Sequence, residues 1–344
     1  MEPSSAYLIW MAGSTLITAG AHYLISSSLR RRAMNAGLTW LLGITLGLAC
    51  AKTVYAVIEM LQFWMATGLK NYRFWDALLS FDVYRVSFFG GVLGVCLGAA
   101  LAGRLTGNAP MRALNVYAPA GMLMAALARF GEGFLGFLGA GRMMKINGLS
   151  FFPIAVVNEW GEGRLAVFML EGLVCLIVAA VSLRASSQDR FIRTLFYLCL
   201  PQILLESLRD GGLVVHEFVR IEQLISMVTV ETVLILYGVW AKGKKRRFLP
   251  AAVGLMMAGL FVAMEFTLGG KLFNGTGGGE DFGFLSHALA EEEEFWEDAE
   301  TWAEEAGGSE LLIPCLSYGV MALGLALLAW MERLGYAKIK DRMK

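Results

Sequence analysis

Charge is scarce in this 344-residue chain: Asp, Glu, Lys and Arg make up 17% of it, and histidine occurs three times. An ordinary soluble domain is about 25% charged, so the chain does not read as one. The 29 Lys and Arg are balanced by 29 Asp and Glu, so there is no net positive field to mark it for nucleic acid or for basic binding at a membrane surface. Its five cysteines, Cys50, Cys96, Cys175, Cys199 and Cys315, all sit in apolar runs without Cys-x-x-Cys spacing. That argues against a disulfide framework, a zinc site or a haem attachment. No metal and no other cofactor is expected, and no internal repeat is visible.

Apolar residues are what the chain has in abundance: 57% of positions, with mean hydropathy +0.58. A helix needs about 20 apolar residues to cross a bilayer. Runs of that kind occur at roughly 6–26, 38–64, 87–103, 113–138, 165–183, 191–209, 223–240, 249–268 and 311–331. The predicted fold class is therefore all-α, a polytopic membrane bundle of about nine transmembrane helices. Arg30, Arg31 and Arg32 follow the first run instead of preceding it, so that run is expected to remain as a helix and not to be a cleaved signal peptide. With the N-terminus outside and the C-terminus inside, eighteen Lys and Arg fall on inner segments against eight on outer ones, as the positive-inside rule requires. The outer connections 65–86 and 142–164 carry Trp75, Phe151, Phe152 and Trp160, which suits segments lying at the interface.

The zero net charge hides a partition. Residues 280–310 hold twelve acids and no Lys or Arg, leaving 29 bases against 17 acids elsewhere. The basic connection Lys242–Arg247 is the predicted seam between a seven-helix core, 1–241, and a C-terminal helix pair, 242–344, with an acidic outer loop at 269–310. That loop reads as a solvated acidic face, or more sharply as an outer arm for docking a basic protein partner. It has no EF-hand ligand pattern.

A charge at mid-membrane costs roughly 2.5–3.5 kcal/mol on insertion scales and so requires a partner or a function. Lys52, Tyr55 and Glu59 share one face of the second run. Arg129 and Glu132 are one turn apart in the fourth, Glu171 lies in the fifth, and Gln202, Glu206 and Arg209 line a face of the sixth. Glu231 and Glu265 follow in the seventh and eighth. Two readings stand: ion pairs that fix helix register, or a polar site inside the bundle. Gly90, Gly91, Gly94 and Gly98 offer a small-residue face for close packing. The glycines from Gly131 to Gly141 loosen the outer half of the fourth helix, where a guanidinium and backbone N–H groups could meet a lipid phosphate.

Several segments in order carry a resemblance. They are Ala51-Lys52-Thr53-Val54-Tyr55, Ser87-Phe88-Phe89-Gly90-Gly91-Val92-Leu93-Gly94, Tyr117-Ala118-Pro119 and Ala128-Arg129-Phe130-Gly131. Leu170-Glu171-Gly172, the stretch Gln202 to Arg209, and Gln223-Leu224-Ile225-Ser226 follow. Together they are similar to motifs of the bacterial prolipoprotein diacylglyceryl transferases, over about residues 5–240. The resemblance implies a seven-helix enzyme of the bacterial cytoplasmic membrane, with its N-terminus outside. Such an enzyme moves a diacylglyceryl group from phosphatidylglycerol to a cysteine thiol of a preprolipoprotein. Phe89 stands where the family has a histidine, Gln202 where it has an arginine, Glu132 where it has an asparagine, and Lys52 where it has an arginine.

Thiol attack on a glycerol carbon needs cationic donors on the departing phosphate and a base near the thiol. The catalytic candidates are Arg129, Glu206 and Glu132, and the candidates for holding lipid are Lys52, Tyr55, Gly90, Gly91, Gln202 and Arg209. The phosphatidylglycerol headgroup is the expected ligand, and a preprolipoprotein or another docking protein the expected partner. The alternative is a catalytically inactive relative that binds lipid or a lipoprotein-processing partner. His22 and His216 do not match the family's histidine position, and His287 belongs to the acidic segment.

Overall fold

The computed structural model describes residues 3–67, 74–79, 85–136, 140–141, 151–157, 163–186, 188–209, 214–216, 219–240, 248–274 and 312–343. The acidic segment 280–310, the basic connection 242–247 and Trp160 lie outside the described residues. The chain is predominantly helical. Its helices are α1 (Pro3–Ile25), α2 (Arg32–Thr67), α3 (Phe74–Leu79), α4 (Phe88–Leu105), α5 (Pro110–Gly131), α6 (Val167–Arg184), α7 (Arg190–Leu208), α8 (Ile221–Trp240), α9 (Leu249–Asn274) and α10 (Leu312–Met343). Among the described residues seven of these (α1, α2, α4, α5, α6, α7 and α8) are long and apolar enough to cross a membrane, and Leu249–Met264 forms a shorter apolar stretch within α9.

Solvent preference is inverted relative to a soluble protein. Leu16, Leu24, Leu93 and Leu173 are between 50% and 75% exposed, whereas Ser14, Thr18, Asn115, Arg129, Glu171, Gln202 and Glu206 are buried. Lipid as the surrounding solvent dictates this arrangement: apolar side chains face outward and every polar group must find its partner inside. The whole-surface display of Leu, Ile and Val is far beyond the patches a water-soluble monomer exposes.

The helix termini hold the departures from an all-helical reading. Strand β1 (Ala155–Val157) pairs antiparallel with β2 (Gly163–Leu165), Ala155 opposite Leu165. Two short strands, β3 (Val214–His216) and β4 (Val219–Arg220), fall between α7 and α8. A connection carries one backbone donor and acceptor per residue, and short ladders satisfy them where helix cannot continue. The 65–86 connection contains α3, with Trp75 67% exposed, and Phe151 and Phe152 are likewise exposed ahead of β1.

The chain divides into two compact units within α8: residues 1–216 with 220–233, and 217–219 with 234–344. In the first unit, α2 and α4 share the most extensive helix contact. Glycine permits it, since a Cβ on Gly90 would lie 2.7 Å from the Cys50 carbonyl oxygen and one on Gly98 2.6 Å from the Gly43 nitrogen. Asn115 of α5 donates to the Gln188 carbonyl and accepts from the Phe191 N–H, at 2.7 and 2.8 Å. These bonds tie α5 to the start of α7 at the end opposite Arg129. Between α5, α6 and α7 lies a core of Met122, Ala126, Cys175, Val178, Ala179 and Leu198. In the second unit α9 packs on α10, where Gly324 makes room for Phe261, and Tyr237 donates to the buried Glu332 at 3.4 Å.

Candidate functional site

The site grows from the way α5 ends. Trp10 of α1 donates its indole N–H to the Leu127 carbonyl at 2.6 Å, and Gly131 lies so close beneath that indole that a Cβ would fall 2.5 Å from it. Past this point the backbone tightens into a 3-10 turn, Glu132–Leu135, and the Glu132 N–H returns to the Arg129 carbonyl. The tighter turn brings Glu132 back over Arg129, three residues earlier, and their side chains pair at 2.6 Å. On the facing helix, Gly172 leaves space for the Phe130 ring. That space lets α6 approach α5 until Glu171, one residue earlier, reaches the Arg129 Nε at 3.0 Å.

Other segments close on the same place. Arg209, capping the end of α7, pairs with the second Glu132 oxygen at 2.7 Å and with Glu171 at 3.1 Å. An isolated bridge between Arg209 and Gly141 fixes its backbone, and Gly141 donates to the Leu165 carbonyl at 2.6 Å. Gln202 spans two carboxylates with its amide N–H groups, Glu171 at 2.7 Å and Glu206 at 3.3 Å. Arg220 donates to the carbonyls of Glu206 and Arg209 and lies 3.8 Å from the Glu206 carboxylate. Phe88, at the start of α4, places its ring 4.1 Å from the Arg129 guanidinium, and its N–H donates to Glu222 at 3.3 Å. A cation over an aromatic face gains about 2 kcal/mol when both are desolvated.

Arg129, Glu171, Gln202 and Glu206 are each no more than 3% exposed. Among the described residues, three guanidiniums (Arg129, Arg209 and Arg220) thus face four carboxylates (Glu132, Glu171, Glu206 and Glu222). Buried ions survive only when their hydrogen bonds are satisfied as well as their charges. Here Glu171 is the hub: its Oε1 accepts from Gln202, and its Oε2, which accepts no hydrogen bond among the described residues, is paired by charge with Arg129 and Arg209. Replacing Gln202 by leucine should therefore destabilise the protein by about 1–3 kcal/mol, since it strips the bridging donor from two buried carboxylates. Thermal unfolding in detergent would show this as a lowered midpoint.

Of the expected site residues, Arg129, Glu132, Gln202, Glu206 and Arg209 meet in this one network. The charged side chains expected to line a site touch one another directly. Lys52 and Tyr55 are half-buried on α2 and follow Ala51, whose carbonyl accepts from the Ser87 N–H at 3.2 Å, next to Phe88. Gly90 and Gly91 have other work. Their N–H groups are taken by the Ser87 hydroxyl and carbonyl at the α4 N-terminus, and Gly90 lies in the contact with α2. Phe89 is 7% exposed beside them.

The residues absent from the expected set are Glu171, Arg220, Glu222 and Phe88. Glu171 carried a signal, a lone acid in an apolar run. Arg220 and Glu222 sit at a helix start, where charge is ordinary and gives no such warning. Against known proteins, the chain matches no family model and no curated protein.

Proposed function

We propose that this is a multi-pass protein of the bacterial cytoplasmic membrane that engages the anionic headgroup of a glycerolipid, phosphatidylglycerol, at the Arg129–Glu171–Arg209 network. In this reading it is a divergent diacylglyceryl transferase that passes the diacylglyceryl group to an acceptor thiol in lipoprotein biosynthesis. Nine helices cross the membrane, with the N-terminus outside. One observation carries the proposal. Four segments between Ser87 and Arg209, each similar to a transferase motif, supply neighbours to one buried cluster: Phe88, Arg129, Glu171, Gln202, Glu206 and Arg209. Helix packing alone does not require charged residues of α5, α6 and α7 to share a depth.

Within this scheme Arg129 and Arg209 hold phosphate oxygens as glycerol phosphate leaves, and Glu206 takes the thiol proton. A second reading, a lipid-binding relative without turnover, is favoured by two observations. Phe89 stands where the resemblance places a histidine base, and both arginines are already paired with carboxylates.

The deciding assay measures thiol-dependent release of glycerol phosphate from phosphatidylglycerol by the purified protein, with Arg129→Ala as control. Release above the control is the expected result. Release equal to the control, with phosphatidylglycerol still retained by the wild-type protein, would establish the binder instead.

A further inference from the structure

Glu132 differs from the other three carboxylates of the network in ways that bear on how a ligand enters. It bridges two guanidiniums with its two oxygens, Oε1 to Arg129 at 2.6 Å and Oε2 to Arg209 at 2.7 Å. Each is a single charge-assisted bond, and the carboxylate bridges the two guanidiniums as two oxygens of one phosphate could. Its side chain is 15% exposed, against 0% for Glu171 and 3% for Glu206. Glu171 and Glu206 stand within the regular helices α6 and α7 and are bridged by Gln202. Glu132 stands on a 3-10 turn between Gly131 and Gly133, and that turn ends at Gly136 with φ at +72°.

The two arginines also have unspent capacity. Arg129 Nη2, on a residue 3% exposed, and Arg209 Nε make no hydrogen bond among the described residues. A carboxylate offers two acceptor oxygens, already used here. A phosphate ester offers more, and a guanidinium with an idle N–H has a donor for them.

Charge arithmetic favours exchange. With Glu132 in place the network counts three cations against four anions among the described residues. Moving Glu132 out and admitting one phosphodiester leaves the same total, so the arriving anion meets no added electrostatic penalty. Arrival without that movement would bury a fifth anion against three arginines.

We propose that Glu132 is an internal stand-in for the ligand's phosphate: its carboxylate occupies the Arg129–Arg209 site, and a phosphate-ester anion binds by displacing it on the glycine-flanked turn. This rests on the reading of the network as a headgroup site, and it adds a built-in competitor that sets affinity. The shared chemistry is a singly charged phosphate group, supplied by a lipid headgroup diester or by free dihydrogen phosphate.

The test uses the full-length protein in phosphatidylcholine nanodiscs. Phosphatidylglycerol binding is titrated for wild type, Glu132→Gln and Glu132→Asn, and inorganic phosphate is titrated in parallel. Removing the competing charge is expected to tighten phosphatidylglycerol binding at least tenfold in both variants. Two variants guard against one of them failing to fold. Equal or weaker binding by the variants would overturn the displacement, while lipid binding by the wild type would leave the headgroup reading standing. The converse is also readable: tighter inorganic phosphate binding in the variants, with no phosphatidylglycerol bound by any form, keeps the displacement and removes the lipid.

Discussion

Arg129→Ala should cost about 3–5 kcal/mol of stability, the range seen when one partner of a buried ion pair is deleted and the other is stranded. Arg129 faces Glu132 at 2.6 Å and Glu171 at 3.0 Å, and Glu171 is buried on all sides. Without the guanidinium, Arg209 alone balances both acids, and Phe88 loses the cation stacked on its ring. Thermal unfolding in detergent measures the loss. Arg129→Lys should recover only part of it, because an ammonium is a point charge and cannot supply the fork that reaches two carboxylates at once.

A double-mutant cycle sharpens this expectation. Arg129→Ala combined with Glu171→Ala removes the stranded acid together with its partner, so the pair should be less damaging than the sum of the single changes. The coupling is expected at about 0.5–3 kcal/mol. Strict additivity would show that Arg129 and Glu171 do not depend on each other for burial, and the network would lose its structural meaning.

The second large effect is expected far from any charge. Gly94→Leu should prevent α2 and α4 from packing, because a Cβ at position 94 would run into the Leu46 carbonyl, with Gly47 Cα at 2.8 Å. Those atoms are backbone and cannot rotate away, so the clash exceeds the roughly 1–3 kcal/mol of ordinary overpacking. Gly91→Ala is the internal control: its nearest neighbour would be the Ala51 Cβ at 3.9 Å, an ordinary contact. It should change stability by no more than about 0.5 kcal/mol. Yield of monodisperse protein from size-exclusion chromatography separates the outcomes, and equal yields for the two variants would contradict the packing described.

The contrast between Gly91 and Gly94 shows where reading a sequence stops. Both occur in one glycine-rich helix, and spacing alone treats them alike. Which glycine meets backbone depends on the rotation of α4 about its axis against α2, which interdigitating side chains set. The same holds for Gly90, whose place in a transferase-like motif suggests a ligand contact and whose neighbours are Cys50, Ala51 and Val54.

Charges are more legible than glycines. A charged or amide side chain in an apolar run is conspicuous because lipid penalises it, so Arg129, Gln202, Glu206 and Arg209 stand out from the order of residues alone. Their partners do not. The Arg129–Glu132 pair is local, three residues apart, and helical geometry foretells it. The Arg209–Glu132 pair joins residues 77 apart, and the Arg209 side chain turns to Glu132 and Glu171 across the bundle.

What the sequence determined by itself is whatever depends on solvent: a helical chain with long apolar segments, and polar residues that must lie inside them. These follow from transfer free energies and from a local period of 3.6 residues. The tertiary structure decided the division of the chain within α8, the role of Glu171 as hub, the recruitment of Arg220 and Glu222, and the pairing of Glu132 with two arginines. Those are relations between helices, fixed by axial rotation, depth and the way each helix ends. Such quantities arise only when side chains distant in the chain pack together.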